Sequence, residues 1–198
     1  MMFGGFAPVL ISAFVVAVAE IGDQTQLLAI FLATRFRKPW PILAGILVAT
    51  IANHLLAACV GYYVADLLKG KWVGYLIGVS FLATALWALK PDKEDEAAAE
   101  RSGLGVFLTT LVAFFLVEMG DKTQIAAISL AARFHSIWRV AAGTTAGMMI
   151  ANAPVVFLGE RATQFIPVKV MRIVAAVVLA VLGVWTLVAT ARGASLAI

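Results

Sequence analysis

A chain of 198 residues in which 63% of side chains are hydrophobic and only 13% charged is too apolar for a water-soluble domain. Its net charge of +4 does not point to nucleic acid, because the Lys and Arg residues lie scattered between apolar stretches, as in the cytoplasmic loops of membrane proteins. One cysteine, Cys59, excludes an intramolecular disulfide and a thiolate cluster for zinc or copper.

Six apolar stretches are expected to be membrane-spanning helices, making this an all-α integral membrane protein. The first runs from about Phe6 to Ala33, interrupted by Glu20-Ile-Gly-Asp23. The second and third run from about Ile42 to Ala65 and from Trp72 to Leu89. After a polar segment come about Leu104 to Ala132, Val140 to Leu158 and Ile166 to Ala191. Each is near the ~20 residues that cross ~30 Å of hydrocarbon. The runs are continuous rather than alternating, which favours helices over barrel strands. The N-terminus lacks a basic region, and Glu20 and Asp23 interrupt the apolar run where a signal-peptide cleavage site would fall, so the first span is expected to remain in the mature chain. Residues 90–103, with mixed charge, Pro91 and Gly103, read as a solvated linker between a first half (1–89) and a second half (104–198).

The halves repeat each other. Glu20-Ile-Gly-Asp-Gln-Thr25 is answered 98 residues later by Glu118-Met-Gly-Asp-Lys-Thr123, and 11 of the 17 positions from Glu20–Phe36 and Glu118–Phe134 are identical. The matches include Glu, Asp, Thr, Gln and Arg, which a shared apolar bias would not produce. They continue through Trp40/Trp138 and Gly45/Gly143, and with one inserted residue reach Asn53/Asn152. Three spans per half is an odd number, so the second half enters the membrane from the opposite side: two inverted three-helix repeats, whose motifs can meet at the midplane. The linkers after spans one, three and five carry Arg35, Arg37, Lys38, Lys90, Lys93, Arg101, Arg161, Lys169 and Arg172; the opposite side carries Lys69, Lys71, Arg133, Arg139 and Arg192. This bias places the first set in the cytoplasm and both termini outside.

Each motif carries two carboxylates into the membrane, where one costs ~2.5–3.5 kcal/mol on insertion scales. A chain that bears this cost four times is expected to use Glu20, Asp23, Glu118 and Asp121 on a cation or protons. Helical spacing puts Glu20 with Asp23, and Glu118 with Asp121, on one face. Gly22 and Gly120 between them permit local unwinding, which at membrane depth occurs where backbone lines a cavity. Thr25, Thr123, Gln26 and Gln124 add neutral oxygens, and Asn53 and Asn152 are further candidate ligands. An all-oxygen set suits Ca²⁺, Mn²⁺ or Mg²⁺. Mutual repulsion among four carboxylates predicts that the empty site takes up protons, which an entering metal displaces. Lys122, opposite Gln24 in the repeat, is either an internal counter-ion or a snorkelling lysine. His54 is a candidate proton relay, although a hydrogen-bonded structural histidine is the commoner role. Gly70, Gly74 and Gly78 are expected to serve packing within the bundle, and Trp40, Trp72, Trp87, Trp138 and Trp185 to anchor span ends. Pro154 is expected to kink its span, and Glu160 and Arg161 to form a solvated pair.

At these residues the chain resembles the GDT-type divalent-cation transporters, whose signature is Glu-x-Gly-Asp-Lys/Arg-Thr/Ser once per three-span half. Glu118–Thr123 matches it fully; Glu20–Thr25 departs only at Gln24. The resemblance implies Mn²⁺ transport, with Ca²⁺ as the alternative, in exchange for protons. It also implies a bacterial inner-membrane exporter and a metal site of Glu20, Asp23, Thr25, Glu118, Asp121 and Thr123, with Gln24, Gln26, Lys122 and Gln124 as secondary members. The metal is cargo, so no cofactor is implied, and a monomer and a homo-oligomer fit equally. Competing readings are a passive cation channel, a membrane scaffold and an intramembrane aspartyl hydrolase; the last gains nothing from two whole Glu-x-x-Asp copies.

Overall fold

Two glycine–aspartate steps interrupt the helices of this chain, and the fold is organised around them. In the computed structural model the described residues are 6–67, 71–90, 105–161 and 168–193. Helix α1 (Ala7–Glu20) ends at the first step and α2 (Gln24–Phe36) begins after it; α3 (Pro39–Leu67) and α4 (Lys71–Ala88) complete the first half. In the second half α5 (Val106–Glu118) and α6 (Lys122–Phe134) flank the second step. They are followed by α7 (Ile137–Leu158), a 3₁₀ turn (Gly159–Arg161) and α8 (Val168–Ala191). No strand occurs among the described residues. Beyond Lys90, the predicted linker lies outside them, as does the side chain of Glu160.

The repetition in sequence is also a repetition of backbone. Gly22 (φ 81°) and Gly120 (φ 85°) break the helices at matched positions. Arg37 (φ 52°) and His135 (φ 49°), again 98 residues apart, end α2 and α6 in the left-handed conformation. The packing is matched as well: α1 lies against α7, α5 against α3, and α4 against α8. Each half thus grips the other rather than folding on itself.

Small residues permit this closeness. A methyl group added at Gly143 or Gly147 of α7 would overlap the Val9 or Ala13 carbonyl of α1, and one at Gly61 of α3 would overlap the Ile128 carbonyl of α6. Gly74 and Gly78 meet Thr190 and Leu187 of α8, so they serve packing within the bundle, as expected; Gly70 lies outside the described residues. Gly61→Ala is accordingly expected to cost about 1–3 kcal/mol by overpacking, seen as a lower thermal midpoint in detergent.

Burial is inverted relative to a soluble protein. Leu86 is 73% exposed and Trp40 72%, while Glu20, Asn53, His54, Glu118 and Asn152 are fully buried. Apolar side chains directed outward are what hydrocarbon solvates, and polar groups turned inward are what it excludes. Trp40, Trp72 and Trp138 sit exposed in the first turns of their helices, as interfacial anchors do. Trp185 instead packs under the Arg133 guanidinium, 4.7 Å from its ring centre.

Of the six expected spans, the first is interrupted at Glu20–Asp23, as expected, and the fourth is interrupted at the matching step. Among the described residues, four helices are long and apolar enough to cross a membrane: α3, α4, α7 and the Ile173–Ala191 part of α8. The bent pair α1 and α2, at 71°, makes a fifth if counted as one span. The predicted fourth span, Leu104–Ala132, is two 13-residue helices, and neither α5 nor α6 crosses alone. The cause is the Gly120–Asp121 step: a positive φ followed by extended backbone (Asp121 ψ 166°) cannot continue a helix. Helix α7, by contrast, runs on through Pro154.

Candidate cation site

The acidic residues stand at the broken helix ends. Glu20 and Glu118 are the last residues of α1 and α5, and Asp23 and Asp121 are the N-caps of α2 and α6. The shared helical face expected for each pair is therefore replaced by a turn. It is closed by the Asp23 N–H donating to the Glu20 carbonyl (3.0 Å), and by the Asp121 N–H donating to that of Glu118 (3.2 Å). Extended backbone at Ile21 and Met119, then positive φ at the glycines, turns the chain between acids that a helix would have stacked.

Gln26 and Gln124, considered above as ligands, support these breaks. The Gly22 N–H donates to Gln26 Oε1 (2.8 Å) and the Gly120 N–H to Gln124 Oε1 (2.7 Å), so each freed backbone donor is met from the first turn of the next helix. Gln26 also donates to the Ala151 carbonyl of α7 (3.2 Å). Gln24 donates to the Val117 carbonyl (3.4 Å) and Asn53 to that of Phe115 (3.1 Å), both in the last turn of α5, where carbonyls lack helical partners.

The structure brings the predicted residues together across the halves. Asn152 of α7 donates to Glu20 Oε1 (2.9 Å), and Asn53 of α3 donates to Glu118 Oε2 (3.3 Å). Each asparagine thus holds the glutamate of the opposite half. Lys122 is 2% exposed and its ammonium is ion-paired with Asp23 of the first half, which makes it an internal counter-ion and not a snorkelling lysine. Glu118 and Asp121 are within electrostatic reach of Glu20.

The symmetry is incomplete. The Thr25 hydroxyl donates to Glu20, whereas that of Thr123 donates to Asp121 Oδ2 (3.1 Å), which also caps α6 through the Thr123 N–H (3.3 Å). Gly22 and Asp23 are buried, while Met119 and Gly120 are exposed.

Chemically, the region offers oxygens in excess of donors. Glu20 Oε2, Asn53 Oδ1 and Asn152 Oδ1 are buried without a hydrogen-bond partner, an expensive condition that a cation relieves. Among the described residues, no three His, Cys, Asp or Glu side chains are close enough in this conformation to hold a metal together. The acids are shared out among Lys122, Thr25, Thr123 and the two asparagines. His54, read above as hydrogen-bonded, has no hydrogen bond at either ring nitrogen; its Nε2 lies 3.1 Å from Glu118 Oε1 but is not aligned to donate to it.

Comparison with known proteins identifies the family of the chain. A family profile described as "Divalent cation/proton antiporter GDT1" matches residues 8–96 and 106–194. A Vibrio cholerae protein named "Putative manganese exporter" is 47% identical over 169 residues, covering 84% of this chain and 83% of that protein. A GDT1-like protein of Synechocystis is 27% identical over 198 residues, covering 88% of this chain and 95% of its own. A GDT1-like protein of Arabidopsis thaliana is 27% identical over 175 residues, covering 69% and 76%. No solved structure matches. With both of its halves matched by that profile, the chain belongs to the GDT1 divalent cation/proton antiporter family and is a membrane transporter, not an enzyme.

Proposed function

We propose that this chain exports Mn²⁺ in exchange for protons across a bacterial inner membrane, with both termini outside. It does so by alternating access about the interface of two inverted three-span halves. In this reading α1 with α2, and α5 with α6, are the broken spans that complete six, and broken helices at the midplane are where transporters of this construction bind ions. The observation that carries the reading is the reciprocal clasp: Asn152 on Glu20 and Asn53 on Glu118 tie each acid to the other half. Relative motion of the halves must then rearrange the acids. The unequal exposure of the two breaks, buried at Gly22 and open at Gly120, supports an access path that favours one motif at a time.

Glu20, Asp23, Glu118 and Asp121 are the proposed charged ligands, with Thr25 and Thr123 as neutral ones. Lys122 holds Asp23 until a divalent ion displaces it. Manganese as cargo is supported by the name of the Vibrio relative, and proton exchange by the description of the family. Purified protein in liposomes tests both. A pH gradient is expected to drive Mn²⁺ uphill, with Ca²⁺ moved less well and Mg²⁺ least. Mn²⁺ that only runs down its own gradient, whatever the pH difference, would identify a channel instead.

A further inference from the structure

We propose that His54 supplies a nitrogen ligand to the cation held by Glu118, and that this nitrogen makes the site prefer Mn²⁺ and other transition-metal ions over Ca²⁺ and Mg²⁺. The proposal rests on the reading of Glu118 as a cation ligand.

Helix α3 carries His54 directly after Asn53, and both are fully buried. A buried histidine ordinarily satisfies its ring by donating one N–H and accepting at the other nitrogen. His54 does neither, although Nε2 is only 3.1 Å from Glu118 Oε1, an oxygen that is itself without a hydrogen bond. Asn53 donates to the other oxygen of the same carboxylate, and its own Oδ1 is unpartnered. An imidazole nitrogen, a carboxylate oxygen and an amide oxygen, all buried and without a hydrogen bond, form a set that a cation completes.

The spacing agrees. Two ligand atoms at right angles on one ion stand √2 bond lengths apart, about 2.9 Å for magnesium-length bonds and about 3.5 Å for calcium-length bonds. The observed 3.1 Å lies within the range that two adjacent ligands of one ion span. Calcium and magnesium take oxygen ligands, whereas imidazole suits transition metals, so one nitrogen separates the two classes. The nitrogen is one-sided: in the match of Asn53 with Asn152, the residue opposite His54 is Ala153. The Glu20 half contributes oxygen alone.

The test is pulsed electron paramagnetic resonance of Mn²⁺ bound to the full chain in detergent, paired with Mn²⁺ and Ca²⁺ titrations of wild type, His54→Gln, His54→Ala and His135→Gln. Wild type and His135→Gln are expected to show a nitrogen hyperfine coupling on Mn²⁺, which both His54 variants lose. The preference for Mn²⁺ over Ca²⁺ should fall ~10-fold in His54→Gln, through weaker Mn²⁺ binding with Ca²⁺ binding held. If the His54 variants do not fold, wild type carrying isotopically labelled histidine decides: its coupling must change with the label. Mn²⁺ bound to wild type without nitrogen coupling, or an unchanged Mn²⁺ to Ca²⁺ ratio in a folded His54→Gln, overturns the proposal and leaves the cation site standing. Binding of neither ion to wild type overturns Glu118 as a ligand, and the proposal with it.

Discussion

Glu20→Gln and Glu118→Gln are each expected to lower Mn²⁺ flux by ~100-fold or more, at or beyond the losses that follow from disturbing even the outer partners of a metal ligand. The same substitutions should leave the protein inserted, folded and no less stable. A buried carboxylate is costly to hold in hydrocarbon, and a neutral amide of the same shape lowers that cost while still accepting from Asn152 or Asn53. Loss of transport without loss of stability is the signature of a group kept for function. Asp23→Asn and Asp121→Asn should abolish flux equally but differ in stability. Asp23 is ion-paired with Lys122, and breaking a buried pair by neutralising one partner costs up to about 3–5 kcal/mol. Asp121 caps α6 through the Thr123 N–H, an interaction worth about 1 kcal/mol that Asn retains. Flux assays paired with thermal unfolding in detergent separate the two effects. Wild-type flux in two or more of the four variants would remove these acids from the site.

The second large effect is expected at Gly120. Its φ of 85° is a conformation that costs an ordinary L residue roughly 1–2 kcal/mol and a β-branched residue more. A Cβ built there meets nothing within 4 Å, so the penalty is one of backbone and not of space. Gly120→Asn should therefore keep most of the transport, Gly120→Ala should lose part, and Gly120→Val should lose more than ~10-fold, in the order of tolerance for positive φ. A residue that relaxes to negative φ favours a helix continuing from α5 into α6, which removes the turn between Glu118 and Asp121 and takes Asp121 off the N-cap of α6. Equal flux in all three variants would show that the break has no part in the site.

Most of the residues gathered around the two helix breaks can be read from the chain because their message is written twice. Composition alone indicates a membrane protein. Repetition of Glu-x-Gly-Asp-x-Thr singles out carboxylates that bias could not have placed, and Asn53 and Asn152 follow from the same register. Gly22 and Gly120 make the helix break legible, but not the placing of the acids around it. Spacing of three suggests a helical face, and only the backbone shows that Ile21–Asp23 and Met119–Asp121 leave the helix altogether. Gln26 and Gln124 read as neutral oxygens in the sequence, and the backbone adds that they accept from the N–H groups of Gly22 and Gly120. The fourth span looks continuous because α6, despite Lys122, Ser129 and Arg133, is flanked by apolar residues; those polar side chains are buried against other helices. Lys122 is ambiguous in the sequence for a related reason, since its partner Asp23 is 99 residues away. His54 reads as structural in the sequence because buried histidines usually find hydrogen bonds; in the fold its Nε2 lies 3.1 Å from Glu118 Oε1 without one.

The proposal that both halves build one shared cation site is tested most directly by counting Mn²⁺ ions bound per chain in detergent, in wild type and in the Glu20→Gln and Glu118→Gln variants. A single site in wild type, lost in either variant, is the predicted result. Two sites in wild type, one surviving in each variant, would contradict it.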